Sequence, residues 1–297
     1  MSLTRRTLIA APGLLAAARA AQPNRVSLAA WSFSQSFFLG KWKLLELPGV
    51  LRDRLGIGAL EHVNQFFENP TLTYLQKLKR ACSAAGVEST ILMVDGEGST
   101  AAPEKAERTL SAVAHRKWID IAHYLGCHSV RCNMYGGPGD WKTDATLVER
   151  AAETFHSLLA YASGSGLNII VENHGGASSD PDVLTALVKK VNHPKFGLLC
   201  DLGNWNKGDD RYAAVRKTIG HARGLSVKGT WGPDLDPAFD AEKLVRTAVA
   251  SGYSGFWGIE VTPRRDSSRK FTADEQFERE VKHVLEAKAI VDRVVPK

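Results

Sequence analysis

Eight short runs of apolar and β-branched residues recur along the chain, and they constrain its fold more than any other feature. They lie at Val26–Phe33, Ile57–Val63, Val87–Asp95, Ser129–Tyr135, Leu167–His174, Phe196–Asp201, Gly224–Lys228 and Phe256–Val261. Successive runs begin roughly 25–40 residues apart, the span of one strand–helix unit. Between most of them the apolar residues shift to helical spacing. Leu110, Val113, Ala114, Ile121 and Leu125 form one stripe, closed by Gly126. Leu147, Ala151, Phe155, Leu158, Leu159 and Ala162 form another, closed by Gly164. Asp180-Pro181 opens a third helix with a capping side chain and a proline at the first helical position. A last helix is expected over about Ala273 to Val295, and Pro48 interrupts the segment expected to be the first. An open doubly wound sheet announces itself with a Gly-rich first turn, whereas Trp31-Ser32-Phe33-Ser34 stands there. The pattern predicts an α/β protein, a single closed (β/α)8 barrel, with no linker to divide it.

The first twenty residues are of a different kind. Thr4-Arg5-Arg6 precedes a modestly apolar, Ala-rich stretch from Leu8 to Ala18, and Ala18-Arg19-Ala20 places small residues as a signal peptidase reads them. Charged start, apolar middle and A-x-A end describe an export signal, and the paired arginine makes it resemble the twin-arginine type that carries folded proteins. Residues 1–20 are therefore expected to be a signal peptide, 21–297 the barrel, and the location periplasmic or otherwise exported. Removing Arg5, Arg6 and Arg19 from the 38 basic residues leaves 35 against 32 acidic ones, a balance of +3. So small an excess gives no reason to expect nucleic acid or anionic lipid as a partner. No run of about 18 apolar residues exists to span a membrane. Cys82, Cys127, Cys132 and Cys200 form no C-x-x-C pair and read as packed free thiols.

In a barrel of this class the chemistry sits where strands run out into loops. The strand ends, in order, carry Trp31; Glu61 with Asn64; Asp95 with Glu97; Arg131 with Asn133; Glu172 with His174; Asp201 with Asn204; Lys228; and Glu260. Charged groups are almost never fully buried unless paired or bound to something. Strand periodicity places Glu172 on one face with Ile170, Asp201 with Leu199 and Gly197, Lys228 with Ser226 and Gly224, and Glu260 with Gly258. Glu172, Asp201, Lys228 and Glu260 are thus expected to point into the barrel mouth together. Asn173 and His174 are expected to continue the polar rim.

Each residue also has a plainer reading. A lone strand-end Glu is usually solvated or paired with a Lys, Asp95-Gly96-Glu97-Gly98 could be only a turn, and Arg131 could simply neutralise a carboxylate. Four inward groups on consecutive strands favour a functional site. The histidines other than His174 lie mostly on helices or loops and read as surface. Tyr135-Gly136-Gly137-Pro138-Gly139 lacks the spacing and the following Lys-Ser/Thr of a phosphate loop.

The strand ends VDGEG (94–98), LGCHSVRCN (125–133), VENHGG (171–176), DLGNW (201–205) and GIE (258–260) resemble the xylose-isomerase-like TIM barrels, within them an exported branch of sugar isomerase/epimerase-like proteins. The resemblance spans nearly the whole chain after residue 20. It implies a divalent metal on Glu172, Asp201 and Glu260, with a histidine on strand seven. Here that stretch reads Ser226-Val227-Lys228, so Ser226 stands where the imidazole belongs. Three carboxylates and a hydroxyl suit Mn²⁺ or Mg²⁺ better than Zn²⁺ or Co²⁺. The implied activity is a sugar isomerase or epimerase, or a keto-sugar lyase. It opens with proton removal next to a carbonyl, with Glu172 and Glu260 as the base pair and Lys228 helping to stabilise the enediolate. The expected partner is a small sugar or keto-sugar touching Trp31, Glu61, Asn64, Asp95, Arg131, Asn133, His174 and Asn204. Two other classes remain: a non-catalytic sugar-binding barrel, and an endonuclease of the same superfamily, which would need more strand-end histidines.

Overall fold

The computed structural model describes residues 25–136, 140–229, 239–263 and 269–296. The expected signal segment lies outside them, as do Gly137, Pro138 and Gly139 of the glycine-rich run. Parallel strands close on themselves in sequence order, β1-β2-β3-β4-β5-β6-β7-β8, with β1 pairing β8. The units run β1 (Val26–Ala29), α1 (Ser34–Phe38), α2 (Leu47–Val50), β2 (Ala59–Val63), α3 (Leu72–Ala85), β3 (Glu88–Val94), α4 (Lys105–Leu125), β4 (Ser129–Cys132) and α5 (Leu147–Tyr161). They continue β5 (Asn168–Glu172), α6 (Pro181–Val191), β6 (Phe196–Asp201), α7 (Arg211–Thr218), β7 (Ala222–Val227), α8 (Ala241–Ala250), β8 (Trp257–Ile259) and α9 (Ala273–Val294). Among the described residues no helix is long and apolar enough to cross a membrane.

Local chemistry sets the boundaries. Gly126 takes the left-handed conformation (φ 88°) that ends α4. Asp180 accepts from the amides of Asp182 and Val183 to start α6 ahead of Pro181. Thr272 and Glu275 form a reciprocal capping box on α9. Pro48 does not interrupt a helix but lies in the first turn of α2, where its missing N–H costs nothing; a π-helical turn, Leu51–Leu55, follows and ends at Gly56.

Four strands stop two or more residues short of their apolar runs. After Ala29 the chain enters a 3-10 turn, Ala30–Phe33. There the Ser32 hydroxyl donates to the Ile259 carbonyl and accepts from the Val261 amide, so a side chain replaces the ladder between β1 and β8. β4, β5 and β8 end at Cys132, Glu172 and Ile259 because the residues beyond turn their polar groups to the mouth or to neighbouring backbone. Two histidines expected at the surface are buried. His62, on β2, bonds Ser89 through Nε2, and His115, on α4, bonds the Ser111 carbonyl through Nδ1. All four cysteines are buried free thiols.

Inside the barrel, aliphatic side chains form a floor under the mouth. A Cβ on Gly224 would lie 2.7 Å from Ile91 Cδ1 and 2.9 Å from Leu199 Cδ1. On β8 a Cβ at Gly258 would press on the Glu61 carboxyl and lie 2.7 Å from the Leu225 carbonyl oxygen. These glycines are dictated by space, since the opposing strands supply the filling atoms. Gly258→Ala is expected to destabilise the barrel by about 1–3 kcal/mol. Gly220→Ala, where a Cβ meets nothing within 4 Å, should stay within about 0.5 kcal/mol of wild type. Urea unfolding of the two variants checks the contrast.

Candidate active site

The side-chain alternation of a strand, carried to the ends of β4 to β8, brings one charged network to the mouth. Arg131 on β4 reaches Asp95 Oδ1 through Nη1 at 2.6 Å and places Nε 3.0 Å from Glu172 Oε2. Just past β7, Lys228 Nζ lies 2.8 Å from Asp201 Oδ2 and 2.9 Å from Glu260 Oε1. The Asn204 amide donates to Asp201 Oδ2 at 2.9 Å and to Glu172 Oε1 at 3.3 Å. Asn133 donates to Asp95 Oδ1 at 2.7 Å, and the Ser226 hydroxyl stands 3.4 Å from Glu260 Oε2. Oxygens of Glu172, Asp201 and Glu260 all lie within 4.8 Å of one another.

Above the network opens a cavity of about 350 Å³. Trp31, Val63 and Met93 give it an apolar wall, and Asp95, Arg131, His174 and Glu260 a polar one. Tyr135, not singled out from sequence as a site residue, closes the rim with its hydroxyl 3.4 Å from His174 Nδ1. Its place at the end of an apolar run next to the Asn133 position was the available signal.

Four residues expected at the mouth do other work. Asn64 accepts from the Asp95 amide at 2.9 Å and donates to the Asp95 carbonyl at 2.8 Å. Asn173, expected on the rim, makes the same pair of bonds with the backbone of Asp201, both at 2.8 Å. Each amide side chain mimics a strand and pins the carboxylate-bearing residue of the next strand. Glu61 lies below the mouth, fully buried, bonded by the Ser27 hydroxyl at 2.5 Å. Glu97 also turns away, accepting from Trp118 Nε1 at 2.6 Å and pairing with Lys117 at 2.8 Å, both on α4.

The electrostatics separate the two glutamates. Burial pushes Glu172 well above the usual carboxylate range, with Glu260 and Asp201 adding to the effect. Arg131 opposes this but does not win: its guanidinium is shared with Asp95, and the contact of Nε with Glu172 Oε2 lacks hydrogen-bond geometry. Glu260 is also penalised by burial, yet Lys228 beside it carries its pKa below the ordinary value. Asp95 is held low, burial being outweighed by Arg131. Desolvation at the mouth, then the Arg131 charge, pushes His174 below the ordinary histidine value.

Four carboxylates (Asp95, Glu172, Asp201 and Glu260) thus face two cations, Arg131 and Lys228. The excess of negative charge and the buried, unbonded Glu172 Oε2 fit a hard divalent cation held by oxygen donors. Glu172, Asp201 and Glu260 could hold it, with the Ser226 hydroxyl alongside.

The family model of xylose isomerase-like TIM barrels matches residues 53–287. Among solved structures, a xylose isomerase domain protein from Planctomyces limnophilus shares 17% identity over 92% of this chain and 96% of its own, with a TM-score of 0.66. An L-ribulose 3-epimerase shares 14% over 91% and 93%, with a TM-score of 0.69. The 3-keto-D-glucoside 4-epimerase of E. coli shares 10% over 83% and 94%, with a TM-score of 0.66. At these identities the likeness is one of fold. Comparison with curated proteins finds no match.

The buried Glu61 carboxyl predicts a pH dependence. Burial pushes its pKa up to about 7 against the opposing Ser27 bond. A carboxyl raised in the folded state binds its proton more tightly there than in the unfolded chain. Its contribution is therefore full below the unfolded value of 4.5 and is lost as pH rises to about 7. Glu61→Gln keeps the acceptor for Ser27 and removes the ionisation. It should match wild type near pH 4.5 and exceed it at pH 8 by at most about 3 kcal/mol. Urea unfolding at both pH values checks this; a variant weaker than wild type at pH 8 would mean that Glu61 is ionised and paired.

Proposed function

The chain belongs to the family of xylose isomerase-like TIM barrels, and from that premise we propose that it is a sugar isomerase or epimerase working by proton transfer next to a carbonyl. The observation that carries this is the placement of Glu172 and Glu260. They come from opposite parts of the barrel wall, on β5 and just past β8, yet meet within 4.8 Å at one small mouth. Two carboxylates whose surroundings push their proton affinities apart are the equipment of acid–base chemistry. Glu260, kept ionised beside Lys228, takes the proton from the carbon next to the carbonyl. Glu172, driven by burial toward its protonated form, returns a proton across the mouth. Arg131 and Lys228 stabilise the negative charge that develops on the enediolate oxygens. Trp31 and Met93 cover the apolar side of the sugar, and His174 with Tyr135 orients its hydroxyls. A divalent cation on Glu172, Asp201, Glu260 and Ser226, Mn²⁺ or Mg²⁺ by the all-oxygen donor set, would add Lewis-acid polarisation of the carbonyl.

Charge supports an unphosphorylated substrate. Both mouth cations are engaged by carboxylates, and the excess negative charge would repel a phosphate dianion. A keto-sugar or an oxidised glycoside fits better. Solvent deuterium incorporation into a panel of keto-sugars tests the reading. Glu172→Gln and Glu260→Gln should each lower exchange by at least about 10²-fold while the fold, read by circular dichroism, is unchanged. Near wild-type exchange in either variant would remove the two-carboxylate mechanism, and sugar binding without any exchange would identify a binding barrel.

Export of the protein is part of the same proposal, resting on Thr4-Arg5-Arg6 and Ala18-Arg19-Ala20. The exported chain should begin near Ala21, and Arg5→Lys with Arg6→Lys should block translocation. Intact residues 1–20 on cytosolic protein from the native host would overturn it.

A further inference from the structure

A cation already sits among the carboxylates. Asp201 has one oxygen committed to its own loop: Oδ1 accepts from the amides of Gly203 at 2.7 Å and Asn204 at 3.0 Å. Only Oδ2 is left to face an ion, and Lys228 Nζ holds it at 2.8 Å. Lys228 also holds Glu260 Oε1 at 2.9 Å. A divalent ion would sit about 2.0–2.6 Å from such oxygens. An ammonium and a metal ion cannot both take Asp201 Oδ2 at those distances without severe repulsion. At Glu260 the second oxygen faces the neutral Ser226 hydroxyl at 3.4 Å, a weaker metal donor than an imidazole.

We propose that Lys228 is the resident cation of this cluster and that a divalent ion enters only by displacing its ammonium from Asp201. The site consequently holds its ion weakly, and Asp201 and Glu260 keep a cationic partner when the ion is gone. This deepens the proposed function, resting on the carboxylate cluster as the ion site, and concerns how the ion is exchanged rather than what reaction follows. Lys228 thereby sets the ion affinity, in opposition to the three carboxylates that attract the ion.

The test uses the full exported chain, stripped with a chelator, and Mn²⁺ alone as the probe. Affinity is read by calorimetry and by water-proton relaxation in wild type, Lys228→Met and Lys228→Gln. Both variants should bind Mn²⁺ at least about tenfold more tightly than wild type. Without the ion, Lys228→Met should unfold at a lower temperature than wild type, because two buried carboxylates lose their partner. Mn²⁺ should then raise its midpoint more than it raises that of wild type. Lys228→Gln, which keeps a hydrogen-bond donor, serves if Lys228→Met does not fold. Equal or weaker Mn²⁺ binding in the variants, or no binding in any protein, overturns the proposal. Sugar deuterium exchange on the same wild-type preparation keeps the two readings apart. Exchange with unaltered Mn²⁺ affinity in the variants sinks only this inference; tightened Mn²⁺ binding with no exchange on any sugar sinks only the catalytic one.

Discussion

Like charges held out of water organise this mouth. Glu172 and Asp201 are almost completely buried, Glu260 nearly so, and Asp95 joins them through Arg131. Carboxylates so placed repel one another and lose hydration, and only close cations or donated hydrogen bonds make the arrangement tolerable. Arg131 and Lys228 divide the work, one on the β3–β5 side and one on the β6–β8 side. Each bridges two carboxylates, and Asn204 ties the two halves by donating to both Asp201 and Glu172. Because the compensation is incomplete, Glu172 and Asp201 are both driven above their usual pKa, burial first. Repulsion from the neighbouring carboxylates adds to burial in raising both.

Such a network works only if its members cannot move, and the barrel fixes them from below and from the side. Ile91 and Leu199 converge on Gly224 to form an apolar floor, and Gly258 leaves just enough room for Glu61. Sideways, Asn64 and Asn173 bond the backbones of Asp95 and Asp201 in the way a neighbouring strand would. The strands can thus end without fraying at the very residues whose side chains must be placed. Two amide side chains substitute for ladder bonds that the parting strands can no longer make.

The apolar wall has its own anchor. Trp31 stacks on Phe66 at 5.8 Å between ring centres, and Phe37 stacks on the same ring at 4.2 Å. The short helix α1 that carries Phe37 is held by Glu280 of α9. That carboxylate accepts from the amides of Gln35 and Ser36 and from the Ser36 hydroxyl. Its oxygens satisfy unpaired amides at the helix start, while burial pushes the carboxyl up to about 7. The last helix of the chain therefore positions an aromatic wall built from the first two strand–helix units.

Periodicity and spacing were enough to read the eight strands, the closed barrel and the alternation that sends Glu172, Asp201, Lys228 and Glu260 to one side, because a strand has only two faces. Local chemistry likewise made the caps at Asp180 and Gly126 legible. Partnership was not legible. Asn64 and Asn173 look like rim residues until the next strand brings a backbone amide and carbonyl against them. Glu61 looks like a strand-end acid until Gly258 and Ser27 enclose it. His62 and His115 look like surface residues until their elements pack. Pro48 reads as a helix breaker because its place in the first turn depends on where the helix begins. The sequence by itself determined which residues could face the mouth, since side-chain direction follows from local backbone geometry. Only the tertiary structure decided which charges pair there, because the pairs join residues 27 to 41 positions apart, such as Lys228 with Asp201 and Arg131 with Glu172, and no local rule reaches that far.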